Sequence, residues 1–573
     1  MIRLFDTHAI RPVRELDGLW DFQPVGRAGE MPQQFEYRLP VPGCWETHPD
    51  LGTYRGTGLY RRTINVNRRT NLRLEFKGVS HTADVYFDGR PIAHHYNAYT
   101  AFEAVIRDVE PGEHEIALYA DNSFGEHSAL HIPNDYYTYG GPIRPVVLEE
   151  IEDVFIERVS FRPEWANGTW SGRWRAVVRN IGEHAAAVGL RLGLDGLHTA
   201  REECRIEPGQ SSVVERTEIY DTAEEWSPER PALYTIRAEL IREQERAGDD
   251  WIDRIGFRRI ETAGEEIRLN GRRVVFKGVN RHEDHARSGA ALSFSEMLHD
   301  IELIRDLGCN TVRTSHYPND ERFLDLCDEF GLLVWEENHA RGLSEEQMRN
   351  PNFRKQSEDV TREMVEQHGN RPSIVIWAVL NECASDTEYG REIYKEELEL
   401  IRSLDPSRPR TFATHNRERD LCLDLADIVS FNLYPGWYTD EDPGELMRRA
   451  RGWADRLGGA GRPMIISEFG ADGYYGFRSR ERVKGSEERQ CDILDDNLSA
   501  YLADESLSGV LVWQFGDCRV SEDNGWLLSR GCTRNSKGLV DGYRRPKAAY
   551  DTVRRHFRGE ADIPSAGRNA RAE

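Results

Sequence analysis

Two glutamates in this 573-residue chain each stand where an apolar run stops. Ile374-Val375-Ile376-Trp377-Ala378-Val379-Leu380 gives way to Asn381-Glu382, and Met464-Ile465-Ile466-Ser467 gives way to Glu468. Short apolar runs of this kind read as buried strands. A carboxylate at the C-terminal end of a barrel strand faces the mouth where barrel chemistry takes place. Two carboxyls meeting across one mouth suit the cleavage of a glycosidic bond. One attacks the anomeric carbon while the other protonates the leaving oxygen and then activates water, and the pair stands about 5 to 5.5 Å apart when configuration is retained. An acidic barrel carries some strand-end carboxylates by chance, so one glutamate alone decides little. Two, each in its own local phrase, decide more.

The elements that must position these glutamates can be read on either side of them. Eight apolar runs separated by amphipathic stretches follow Glu261: 274–279, 310–314, 332–335, 374–380, 410–414, 428–432, 463–467 and 510–515. Strands alternating with helices such as 295–307 predict a catalytic (β/α)8 TIM barrel over 259–558. Before it, short alternating segments such as Leu72-Arg73-Leu74-Glu75-Phe76 predict a jelly-roll β-sandwich over 1–150. A second set, including Trp174-Arg175-Ala176-Val177-Val178, predicts an immunoglobulin-like β-sandwich over 151–258. The fold class is therefore multidomain β plus α/β, and the tail 559–573, rich in Ala, Arg and Gly, is expected to be disordered.

Composition narrows the function classes. With 75 basic against 99 acidic residues the formal charge is -24, which opposes nucleic-acid binding, where phosphates require clustered Lys and Arg. No apolar run is long enough to span a membrane. The nine cysteines are scattered without a C-x-x-C pair, so neither a disulfide framework nor a zinc ribbon is indicated. With no export signal at the start of the sequence, a cytoplasmic location is expected. His282-Glu283-Asp284-His285 has no metal-ligand spacing, and neither a metal nor a cofactor is expected.

Asn381-Glu382, Ser467-Glu468-Phe469-Gly470, Thr311 to Pro318 and Phe276 to Asp284 together resemble the signature segments of glycoside hydrolase family 2. The order of two sandwiches and a barrel is similar too. The resemblance implies Glu382 as acid/base, Glu468 as nucleophile, Asn381 on the sugar 2-hydroxyl, and His282 and His316 lining the site. It also implies Arg313 beside Glu468, and an opposite charge there predicts a lowered pKa for Glu468 and a raised one for Glu382. Cys383 stands where relatives commonly have Pro, which alters the loop rather than the chemistry. Family relatives are often homo-oligomers, so the same is expected here.

The choice of sugar depends on residues facing C6. Asn535-Ser536-Lys537 resembles the Asn-x-Lys motif with which the glucuronidases of the family bind a uronate carboxylate, and Lys537 is one of only seven lysines in an arginine-dominated chain. A tripeptide of this kind is common in solvated turns; its place past the last barrel strand raises its weight. Asn432-Leu433-Tyr434-Pro435-Gly436-Trp437-Tyr438 is similar to a glucuronidase phrase that would put Tyr434 beside the nucleophile and Tyr438 near the carboxylate. Asp135, in a segment expected to reach over from the first sandwich, would bind hydroxyls, and Trp513 would be a sugar-facing platform or a core residue. Release of terminal β-D-glucuronic acid is the leading expectation. β-Galacturonidase, β-galactosidase and a non-catalytic carbohydrate-binding protein remain alternatives. A brief polar stretch at 341–354 predicts an open mouth.

Overall fold

The computed structural model describes residues 2–195, 197–242, 247–522 and 525–560, so of the tail 559–573 only Gly559 and Glu560 fall within it. The first unit is a sandwich of two antiparallel sheets. Six strands lie in the order Tyr37–Val41, Gly18–Val25, Thr57–Val66, Gly112–Asp121, Thr82–Phe87 and Arg90–Tyr96. Four lie in the order Val13–Glu15, Val146–Ile151, Thr70–Phe76 and Phe102–Val109. Alternation turns Leu72, Leu74 and Phe76 inward against Trp20, Phe22 and Tyr60 of the facing sheet. Between Asp121 and Val146 the chain has no strand, and this long loop leaves the sandwich for the barrel mouth.

The second unit pairs Val154–Ala166, Thr169–Asn180 and Ser211–Tyr220 in one sheet. His198–Ile206, Ala186–Leu194, Tyr234–Ile241 and Ala247–Ile255 form the other. These seven strands enclose a core built on Phe161, Trp170, Trp174 and Phe257, as expected of an immunoglobulin-like sandwich. The N-terminal segment straps the units together: Arg11 bonds Glu149 (2.7 Å) and Asp249 (2.8 Å), and Arg3 bonds Asp253 (3.0 Å) and Asp325 of the barrel (2.9 Å).

Eight parallel strands close the third unit: Phe276–Asn280, Thr311–Thr314, Leu333–Glu337, Ile374–Ala378, residues 410–414 interrupted at Phe412, Val429–Asn432, Met464–Phe469 and Leu507–Val512. Phe276 pairs with Gly509, which joins the first strand to the last and makes the sheet a barrel. The last strand starts three residues earlier than the apolar run suggested, because Ser508 and Gly509 interrupt the apolar pattern without leaving the ladder. Helices begin where side chains can satisfy their free amide groups: Ser293 and Glu296 form a capping box for Phe294–Asp306, and Asp320, Thr387, Asp442 and Ser486 cap later ones. The sequence did not suggest the antiparallel sheet Ile260–Ala263, Glu266–Leu269 and Arg272–Val274. Its Ile260, Ile267 and Leu269 join Phe276, Trp335, Ile376 and Leu511 in the barrel interior, closing the floor and leaving only the opposite mouth open for chemistry. Among the described residues no helix is long and apolar enough to cross a membrane.

Candidate active site

The fourth strand ends in two left-handed residues, Leu380 (φ 53°) and Glu382 (φ 52°). Such backbone costs on the order of 1–3 kcal/mol per residue and persists only where the surroundings hold it. Here Leu380 N donates to Asn338 Oδ1 (3.0 Å), Glu382 N to Ala413 O (3.0 Å), and Gly342 N to Asn381 O (2.8 Å). The result places both Asn381 and Glu382 at the mouth. Glu382 Oε1 accepts from Asn432 Nδ2 (2.8 Å), while Arg341 approaches Oε2 (3.5 Å) and His415 approaches Oε1 (3.6 Å).

Glu468, near the end of the seventh strand, faces the same cavity. Its Oε1 accepts from Arg313 Nη1 (2.8 Å) and its Oε2 from Tyr434 OH (2.8 Å). Arg313 is fully buried and branches further, to Glu337 (2.9 and 3.0 Å), to Asn280 (2.9 Å) and to Asn381 Oδ1 (2.8 Å). This fan of bonds fixes both strand-end phrases relative to each other. It also explains why the lowered pKa expected for Glu468 does not hold. Burial, followed by the Glu382 carboxylate, pushes Glu468 up to about 7, and an arginine shared with Glu337 does not offset them.

The two histidines form one wall. His316 Nδ1 lies 2.6 Å from Glu337 Oε1, which makes Nδ1 the protonated nitrogen and leaves Nε2 an acceptor. Burial, reinforced by Arg313 and Arg341, holds this ring well below its usual pKa, and burial does the same to His282 beside it. Among the described residues, the Nε2 atoms of both rings and Asn381 Nδ2 are buried with no hydrogen-bond partner, a set of polar groups suited to sugar hydroxyls. Trp513 is 2% exposed and stacks on His316 (5.1 Å, 20°), with His282 edge-on at 5.4 Å. It therefore backs the histidine wall, and the structure favours a core residue over an open platform.

A second cluster lies toward Asp135, which stands on the loop from the first sandwich. Asp135 pairs with Arg341 (3.2 Å) and Arg530 (3.0 Å) and accepts from Asn535 Nδ2 (3.1 Å). Burial works against its charge, but Arg341 and Arg530 outweigh it and hold the carboxyl well below the usual range. The amide nitrogen of Asn535 is thus committed to Asp135. Lys537, 1% exposed, places its ammonium 3.2 Å from Asp472 and about 5 Å from the rings of Trp437 and Tyr438. Tyr438 is 60% exposed at the rim and lies 5.1 Å from Tyr434, which links this cluster to Glu468. Cys383 is buried, with Sγ 3.6 Å from Asn381 O, in the loop and away from the reacting groups.

Several residues here were not singled out from sequence. Glu337 ends the third strand and was open to the same strand-end rule, but the apolar run stops at Trp335. Asp472 follows Glu468 by four residues, and Arg530 precedes Asn535 by five. No local pattern marks Arg341, which lies in the brief stretch read as leaving the mouth open; instead it reaches into the mouth between Asp135 and Glu382. Glu283, Asp284 and His285 are occupied by Arg144 (2.8 Å), Tyr139 (2.8 Å) and Glu296 (2.9 Å) in contacts that join the sandwich loop to the barrel and pin the barrel's own loop.

Residues 260–559 match Glycosyl hydrolases family 2, TIM barrel domain, and residues 154–258 match Glycosyl hydrolases family 2. The chain is similar to a β-galacturonidase from Eisenbergiella tayi solved with galacturonate, at 48% identity and TM-score 0.94, over 98% of this chain and 100% of that one. It is also similar to β-glucuronidases from Paenibacillus borealis, at 26% identity over 97% of this chain and 98% of the relative, and Streptococcus agalactiae, at 27% over 96% of each. With this domain order, a paired-carboxylate mouth and those matches, the chain belongs to glycosyl hydrolases family 2 and is a glycoside hydrolase.

Proposed function

We propose that this enzyme is a retaining exo-β-uronidase that removes a terminal β-linked hexuronic acid. The observation carrying the uronide reading is the buried ammonium of Lys537 in the cluster beside Glu468. Lys537 is 1% exposed, 3.2 Å from Asp472 and about 5 Å from the rings of Trp437 and Tyr438, with Arg341 and Arg530 close by around Asp135. The C6 carboxylate of a uronic acid is the substrate group that a buried ammonium in this position binds strongly. Anchored there, the sugar presents its anomeric carbon to Glu468 while its hydroxyls meet Asn381 Nδ2 and the histidine Nε2 atoms.

In the first step Glu468 attacks the anomeric carbon as the bond to the leaving oxygen breaks, and Glu382 passes its proton to that oxygen. In the second, Glu382 takes a proton from water, the hydroxide displaces Glu468, and the sugar leaves with its configuration retained. Productive binding requires the charge of the pair on Glu468 and the proton on Glu382.

Glucuronate and galacturonate differ only at C4. The sequence motifs resemble glucuronidases, whereas the higher identity to the Eisenbergiella tayi β-galacturonidase weighs toward galacturonide. Initial rates on p-nitrophenyl β-D-glucuronide, β-D-galacturonide and β-D-galactoside decide between them. Either uronide as best substrate supports the reading, and the rank of the two names the sugar. A galactoside hydrolysed faster than both uronides refutes it. Trapping with a 2-fluoro uronosyl fluoride tests retention: a covalent adduct on Glu468 is expected, and an adduct elsewhere or none would refute the mechanism.

A further inference from the structure

On the barrel's floor, away from the catalytic mouth, a crevice of about 370 Å³ separates the second sandwich from the barrel. Its sandwich side carries Arg158, Arg162, Arg173, Arg175 and Arg258, and its barrel wall Arg371 and Arg408. Among the described residues lining it, only Glu215, Glu366 and Asp405 carry negative charge, seven arginines against three carboxylates. Asp325 and Asp328, outside the lining, answer Arg371, so a positive excess remains in a protein whose overall charge is -24.

The pairing within the crevice makes that excess concrete. Arg173 and Arg175 share the single Glu215 (2.9 and 3.8 Å), and Arg162 and Arg408 share Asp405. Arg258 is buried and, among the described residues, hydrogen-bonds only to carbonyls, Pro372 O (3.0 Å) and Ile374 O (2.8 Å). Burial and neighbouring Arg408 make its charge costly, the condition an anion relieves. Part of this arrangement is structural, since Arg162 donates to Leu404 O at the end of the helix Glu388–Leu404, where cations are favoured. The side chains of Arg158, Arg162, Arg173 and Arg175 are nevertheless 31–48% exposed along the rim and keep donors free for a ligand.

We propose that this crevice is a second binding site, separate from the catalytic one, for a carboxylate-bearing saccharide segment. Its volume is that of a small-ligand pocket. Between the arginines, the hydroxyls of Ser160, Ser403 and Ser407 donate to Arg175 O, Leu400 O and Asp405, which turns their oxygens into acceptors for the hydroxyls of a chain that alternates hydroxyls with carboxylates. The floor and mouth are separated by the five-residue strand Ile374–Ala378, roughly 16 Å. The crevice therefore holds a remote part of an acidic polymer, or a neighbouring chain of it, while an end is processed at the mouth. The polymer's identity rests on the uronidase reading; the anionic site does not.

The test is calorimetric titration of the full chain carrying Glu468→Gln with tri-galacturonate, and separately with inorganic phosphate, with and without Arg173→Ala plus Arg175→Ala. These two rim arginines touch nothing at the mouth, so the same pair of substitutions in the active enzyme should leave p-nitrophenyl uronide hydrolysis unchanged. Binding of tri-galacturonate that weakens at least about tenfold in the arginine variant supports the site. Binding that is unchanged overturns it. Phosphate bound as tightly as tri-galacturonate overturns the saccharide assignment and leaves a simple anion site. Failure of uronide hydrolysis with binding retained refutes the proposed function alone.

Discussion

Replacing Glu468 with Gln should make the barrel more stable above neutral pH while destroying its activity. Burial first, and the charge of Glu382 second, raise the Glu468 carboxyl from its ordinary 4.5 to about 7. A carboxyl raised in this way holds its proton more tightly in the folded chain than in the unfolded one. Its stabilising contribution is therefore complete below about pH 4.5 and is lost as the pH rises through about 7. The interval between those two values, at about 1.4 kcal/mol for each tenfold change, amounts to roughly 3 kcal/mol. Gln cannot ionise and matches the shape of the neutral acid, with its carbonyl oxygen accepting from Arg313 and its amide NH2 donating to the Tyr434 hydroxyl oxygen. At about 2 °C per kcal/mol for a unit of this size, the Glu468→Gln barrel should melt roughly 5 °C above the wild type near pH 8. Near pH 4.5, where neither form carries the charge, the two should melt together. Scanning calorimetry across this range reads the effect directly. Equal melting temperatures near pH 8, or a lower one for the variant, would show that Arg313 fully offsets burial and that the reasoning is wrong. The variant's kcat should fall by about four orders of magnitude or more.

Lys537→Met removes the ammonium held by Asp472 and should lower kcat/KM for the uronide at least about 100-fold while leaving any galactoside hydrolysis unaffected; equal losses on both substrates would remove the carboxylate anchor. Asp135→Asn removes the nearest counter-ion of Arg341 and Arg530, leaving only Glu382 at 3.5 Å and Asp472 at 3.6 Å, and should cost about 3 kcal/mol in stability by denaturant titration. Because the Asp135 carboxyl sits well below its ordinary 3.8, its contribution is present above that value and is lost only as pH falls through the still lower folded value, so the destabilisation should persist at about pH 5. Tyr434→Phe withdraws a donor from Glu468 Oε2, which disfavours the ionised form. The acid limb of kcat/KM against pH should move upward and kcat should drop about tenfold, and an unmoved limb would contradict the contact.

The sequence by itself determined the periods and the two glutamates. Alternation of two in the sandwiches and apolar runs spaced by helices in the barrel are local properties, because each element buries one face and its residues report it. A carboxylate at a strand end is local as well, which is why Glu382 and Glu468 are legible in the sequence and why Lys537 stands out among so few lysines. What the tertiary structure alone decided is who shares whom. Arg313 meets Glu468 across 155 residues of chain and Arg530 meets Asp135 across 395, and no window of sequence contains both partners. Arg341, Arg530, Asp472 and Glu337 acquire meaning only through such pairings. The direction of the Glu468 shift belongs to the same class: Arg313 predicts a lower value when considered alone. Desolvation and the neighbouring carboxylate are sums over everything the fold brings near, and they reverse it.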